Sequence, residues 1–194
     1  MLELVTRAAR DEIRHAEYSV DVAARYRGDA ARWPRPAPTP IPDLAPAGPK
    51  LRATLHVLAM CCINETIACA CLQAALGQVE SPLVKAAQQL ILADEIDHAR
   101  AGWAHLASRW VDADTKAELS TWLVRLFSAK LRELVEDEAP LPGEQFPEQG
   151  MLSREVTTRV VRGTLDSVIF PGLARAGLDV SDVTAWARGA FGGA

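Results

Sequence analysis

The sequence predicts an all-α fold, and three observations carry that prediction. No segment sustains the alternation of apolar and polar residues that a half-buried strand needs. Aromatic residues make up only 6% of the chain, a composition suited to helices packed through Ala, Leu and Val. Glycines, prolines and N-capping residues divide the chain into long stretches that hold little Gly or Pro. At 194 residues the chain is long enough for a full core and is expected to form a single domain, 1–194.

The elements follow in order. Residues 1–27 hold a first helix, rich in Ala, Glu and Arg and stopped by Gly28. From residue 28 to 50 the composition changes, and 7 of the 12 prolines fall here. Pro34, Pro36, Pro38, Pro40 and Pro42 alternate, which excludes helix and central strand and predicts an extended crossover. At about 3.1 Å per residue such a strap can run the length of a ~25-residue helix. Residues 51–110 supply two further helices, one closed by Gly77 and one opened by Ser81-Pro82. Residues 111–194 supply the C-terminal helices. Asp114 is the expected cap of one, Ser153 of the next, with a kink or stop near Pro171-Gly172, and Ser181 starts a short last helix.

Several function classes are disfavoured by composition. The formal net charge is −4, with Lys and Arg scattered, so no basic stripe points to nucleic acid. No uninterrupted apolar run approaches the ~20 residues of a membrane span, and charges within the first residues argue against a secretory signal. Cys61, Cys62, Cys69 and Cys71 crowd into one predicted helix, a pattern of reduced thiols rather than a disulfide framework. The expected location is cytoplasmic.

The chemistry lies in a repeat. Asp11-Glu12-Ile13-Arg14-His15-Ala16 returns as Asp94-Glu95-Ile96-Asp97-His98-Ala99. Each copy puts a carboxylate and an imidazole three residues apart on one helical face. Random placement of 13 Glu and 4 His in 194 residues would give about 0.27 such pairs; two are present, both extended by Asp and Ile. Paired Glu-x-x-His faces with carboxylates from other helices are the ligand set of a di-iron helix bundle. Carboxylates suit the oxidised metal and imidazoles retain the reduced one. Glu12 with His15 is expected to serve one ion, and Glu95 with His98 the other. Asp11 and Asp94 are candidate acceptors for an imidazole N–H, which would orient the rings.

Glu65 is the third carboxylate. It sits in Met60-Cys61-Cys62-Ile63-Asn64-Glu65-Thr66-Ile67-Ala68-Cys69, where an unpaired charge would be costly, and a bridging role is expected. Cys61, Cys62 and Cys69 lie near its face and could line a pocket, although buried Cys most often fills a core. Tyr18, one turn past His15, could relay electrons but more commonly such a residue packs. His56 and His105 read as structural or exposed.

These residues resemble the ferritin-like di-iron carboxylate superfamily. Asp11-Glu12-Ile13-Arg14-His15 matches the Asp-Glu-x-Arg-His motif of bacterial multicomponent monooxygenase hydroxylases, and the second copy has Asp97 in place of Arg. The wider likeness, over roughly residues 5–110, is to small bacterial ferritin-like domain proteins with a Pro-rich crossover and a Glu-Thr helix. The resemblance implies a ferritin-like helical bundle, two Fe ions (Mn is possible), and metal ligands Glu12, His15, Glu65, Glu95 and His98. It also implies a preceding Glu helix that this sequence lacks. The sixth ligand is open to three sources: an upstream helix, a later donor among Glu118, Glu155 and Asp166, or a second subunit in a homodimer. Three functions follow as expectations: O2-dependent oxidation of a small organic substrate, handling of Fe(II) as substrate, or non-catalytic metal binding at a degenerate site.

Overall fold

The computed structural model describes residues 2–28, 44, 46–131 and 146–191, and these are helical with no strand among them. Helix α1 spans Leu2–Arg27, with Glu3 in its first turn and Arg25 and Arg27 in its last, both favourable to the helix dipole. Gly28 closes it at φ +73° with a bond from its N–H to the carbonyl of Ala24, a left-handed turn that suits glycine. The centre of the predicted crossover lies outside the described residues. Leu44 and Ala47 at its far end are buried in the core.

One long apolar rod follows. α2 (Pro49–Val57) runs into a π-helical segment (Leu58–Asn64) and then α3 (Glu65–Leu76). The Glu65 N–H bonds to the carbonyl of Met60, five residues back. A π turn holds one more residue than an α turn, so it resets the helix register immediately before Glu65. By length and composition Pro49–Leu76 is apolar enough to cross a membrane, with 28% of that window buried; its first half supplies Leu55, Leu58 and Ile63 to the core. α4 (Pro82–Leu106) packs against it along its length. Ser81 makes no side-chain cap; Pro82 at the first helical position opens α4 instead.

α5 (Ala113–Lys130) is capped by Asp112 and not by Asp114 as the sequence suggested. The Asp112 carboxylate accepts from the Thr115 N–H at 2.9 Å and the Thr115 hydroxyl at 2.6 Å. Ser153 caps α6 (Arg154–Thr164) as expected. The predicted kink near Pro171 takes the form of a second π segment, Leu165–Ile169, before α7 (Phe170–Arg175). Proline lacks an N–H and crowds the carbonyl four residues back; the wider turn accommodates both. α8 (Ser181–Phe191) ends the described chain.

The apolar core lies between the Pro49–Leu76 rod, α5 and α6 to α8. Leu55, Leu58, Ile63, Leu119, Leu123 and Phe127 are essentially inaccessible, and the Phe127 and Phe170 rings meet at 5.5 Å. Among the described side chains none from α1 joins this core. α1 packs chiefly on α4, and the two are joined by the hydrogen bonds of Asp11, Arg14, His15, Asp94 and His98.

Candidate metal centre

The two repeat copies face each other across the α1–α4 interface. The His15 and His98 ring centroids are 6.0 Å apart. Both rings are buried, as are Asp11 and Glu95. On each ring the two nitrogens have different partners. His98 Nε2 lies 3.1 Å from Asp11, and His15 Nε2 lies 3.2 Å from Asp94. The aspartates therefore cross over: each serves the imidazole of the opposite helix and not the one four residues along its own.

The Nδ1 atoms point the other way, at the glutamates. His98 Nδ1 is 3.1 Å from Glu95 and 3.6 Å from Glu12. His15 Nδ1 is 3.4 Å from Glu95 and 3.6 Å from Glu12. Glu12 and Glu95 thus each lie near both imidazoles, the expected Glu12–His15 and Glu95–His98 pairs among these contacts. Glu65, the expected bridging carboxylate, lies in one cluster with them. Glu65 enters from the rod on the His98 side. One ligand atom from each of Glu12, Glu65, Glu95 and His98 falls within 4.8 Å of the others. Opposite donors on one ion stand roughly 4.2 Å apart, from metal–ligand distances of about 2.1 Å.

Electrostatics mark Glu65 as a strained charge. Burial pushes its carboxyl up to about 9, with the negative charge of Glu95, a shared hydrogen bond to Glu95 and the charge of Glu12 adding to it; Lys130 acts in the opposite sense. Asp11 behaves otherwise. Burial raises it, but the His98 hydrogen bond and the Arg14 guanidinium prevail and hold it below the usual carboxylate range. Arg14 spans both aspartates, at 2.6 Å from Asp11 and 3.2 Å from Asp94. Its counterpart in the second copy, Asp97, pairs instead with Arg7 at 3.3 Å and Arg100 at 3.4 Å.

The cysteines separate into two groups. Cys61 and Cys69 both feel the cluster: burial raises their thiols and the charges of Glu65 and Glu95 add to this, taking Cys69 to about 11. Cys62 points into the core, where burial takes it to about 12. Tyr18 is half-buried on α1. Cys61, His98 and Asp11 line a pocket of about 80 Å³ with Leu4, Ala8 and Ala101. Glu118, Glu155 and Asp166 are exposed on α5, α6 and the second π segment; none of them joins the cluster, so no later donor fills the sixth position among the described residues.

Sequence reasoning missed two residues that shape the centre. Gly102 lies one turn past His98, and a Cβ there would stand 2.5 Å from Cys61 Cβ and 2.9 Å from the Cys61 carbonyl carbon. Only glycine lets α4 come this close to the π segment; an isolated Gly inside a helical pattern is the signal for such an approach. Lys130, half-buried on α5, brings its ammonium to 3.4 Å from Met60 Sδ and interacts with Glu65. In the sequence it reads as an ordinary basic residue late in a helix.

Compared with family models, curated proteins and solved structures, the chain matches none. Its likeness to ferritin-like proteins therefore stands on the motif residues alone.

Proposed function

We propose that the chain is a non-haem dinuclear carboxylate protein whose resident metals are two irons, with manganese compatible with the same donors, and that it uses O2 to oxidise a small organic substrate. One observation carries the metal reading. With each Nε2–H assigned to an aspartate, each Nδ1 presents a lone pair, and those lone pairs face carboxylate oxygens. Acceptors converging on acceptors require cations between them, either shared protons or metal ions. The residues fit the group: two oriented imidazoles, two glutamates reaching both rings, and Glu65.

A pair of reduced irons would supply the electrons for O2 activation. The chain's own residues do the rest. Asp11 and Asp94, held by Arg14, fix the imidazoles and raise their basicity. Glu65 carries a proton when the centre is empty and releases it when a cation arrives. The pocket is lined by Leu4, Ala8, Ala101 and Cys61 together with Arg7, Asp11, Asp97 and His98, and suits a small group with an apolar body and a polar end. That pocket favours oxidation of an organic substrate over iron handling. Glu12, whose side chain is 55% exposed, favours a second reading in which Fe(II) arrives from solvent as the substrate. On either reading, a helix from a second subunit laid along the exposed Glu12–Ile13 flank of α1 is the homodimer arrangement open to the chain.

Anaerobic loading with Fe(II) followed by admission of O2 tests the proposal. Two irons per chain, O2 consumption and a new visible absorption are expected. Bound iron that leaves O2 untouched would contradict the oxidase reading, and catalytic oxidation of added Fe(II) beyond the bound pair would select iron handling.

A further inference from the structure

The five donors do not divide evenly between two ions. Around His98 Nδ1 stand Glu95, Glu12 and Glu65. Around His15 Nδ1 stand only the shared Glu95 and Glu12, because the nearby Asp94 is engaged on the Nε2 side of the ring and by Arg14. No side chain takes on the His15 side the part that Glu65 takes on the other, among the described residues. The asymmetry follows from the fold. α4 has the rod carrying Glu65 packed along it, whereas α1 has α4 as its chief partner.

Glu12, Glu65 and Glu95 bring three negative charges to two divalent ions with four positive ones. Asp11 and Asp94 are already paired with Arg14 and the imidazoles. The three glutamates leave one positive charge on the ions themselves, which favours an anionic oxygen at an open coordination position, while Asp11 and Asp94, sharing the single Arg14, bring the wider cluster to neutrality. The way in from solvent is past Glu12, whose side chain is 55% exposed, whereas Glu95 and both imidazoles, His15 as well as His98, are buried.

We propose that the two metal positions are unequal: the His98 position has the fuller set of donors among the described residues and fills first, and the His15 position, one donor short among those residues, takes an oxygen from a small carboxylate compound entering past Glu12. This rests on the dinuclear reading above and names the class of ligand or substrate that the centre accepts.

Calorimetric and visible-absorption titration of the metal-free full chain with Co(II), with and without acetate, tests it. Two steps of one ion each are expected, the first at least about tenfold tighter. Acetate should tighten the second step alone and shift only its bands. His15→Ala should remove the second step and keep the first. Two steps of equal affinity, or a second step indifferent to acetate, would overturn the inference while leaving a two-ion centre in place. A second step already tight without acetate and dependent on protein concentration would overturn it in favour of a donor from a second copy. No bound cobalt at all would overturn both this inference and the reading beneath it. The acetate comparison uses the unaltered chain, so the test stands even if His15→Ala fails to fold.

Discussion

His98 Nε2 lies 3.1 Å from Asp11 on the facing helix, so the aspartate at the head of the first repeat orients the imidazole at the foot of the second. Asp94 returns the relationship to His15 at 3.2 Å. Replacing Asp11 by Asn keeps the shape but removes the charge that holds the Nε2–H tautomer. Metal affinity should fall about 10–100-fold, measured by competition with a coloured chelator, with Asp94→Asn giving a loss of similar size. Unchanged affinity in both variants would mean that the aspartates hold α1 to α4 without serving the ligands.

Glu65 links stability to pH. Its folded-state value of about 9 stands above its ordinary 4.5. Between those values the unfolded chain loses the Glu65 proton while the folded chain keeps it, so the metal-free protein loses stability as pH rises through that window. Glu65→Gln has no proton to lose. In urea denaturation the metal-free variant should match the wild type near pH 4 and exceed it by on the order of a few kcal/mol by pH 8 to 9, while binding metal worse. A constant difference between the two across that range would show that Glu65 is not buried as described.

α1 contributes no described side chain to the apolar core; it is held by the His, Asp, Glu and Arg network against α4. Binding free energy at such a site is also docking free energy for the helix. Metal loading should therefore slow hydrogen exchange in residues 2–27 far more than in α5, whose Leu119, Leu123 and Phe127 are fixed in the core regardless. Equal protection of both helices would indicate that the metal acts elsewhere.

Two glycines make a matched pair. A Cβ at Gly102 would stand 2.5 Å from Cys61 Cβ, whereas one at Gly163 on α6 meets nothing within 4 Å. Gly102→Ala should destabilise by about 1–3 kcal/mol by overpacking and weaken metal binding by moving the π segment away from His98. Gly163→Ala should stabilise by up to about 1 kcal/mol through helix propensity. Thermal unfolding of both variants, read beside metal content, checks the contrast.

Much of this was legible in the sequence, for identifiable reasons. Helix ends follow local rules that Gly28, Pro82, Ser153 and Ser181 obey. The repeat places a carboxylate and an imidazole on one face because three residues make nearly one turn. What escaped is what depends on two helices at once. The crossing of Asp11 to His98 requires knowing that α1 faces α4. The sharing of Glu12 and Glu95 between both rings depends on the 6.0 Å separation of those rings. The π segment before Glu65 leaves no trace in the apolar pattern, since a one-residue change of register in Leu58–Asn64 keeps apolar residues on every side. The Asp112 cap lies two residues before Asp114, the cap the sequence suggests, because both satisfy the same local preference.

Iron content per chain, with and without the double substitution Glu95→Ala/His98→Ala, tests the central claim most directly. After anaerobic loading and removal of free metal, the unaltered chain should retain two irons and the folded double variant none. A double variant that still held two irons, or an unaltered chain that held none, would contradict the account.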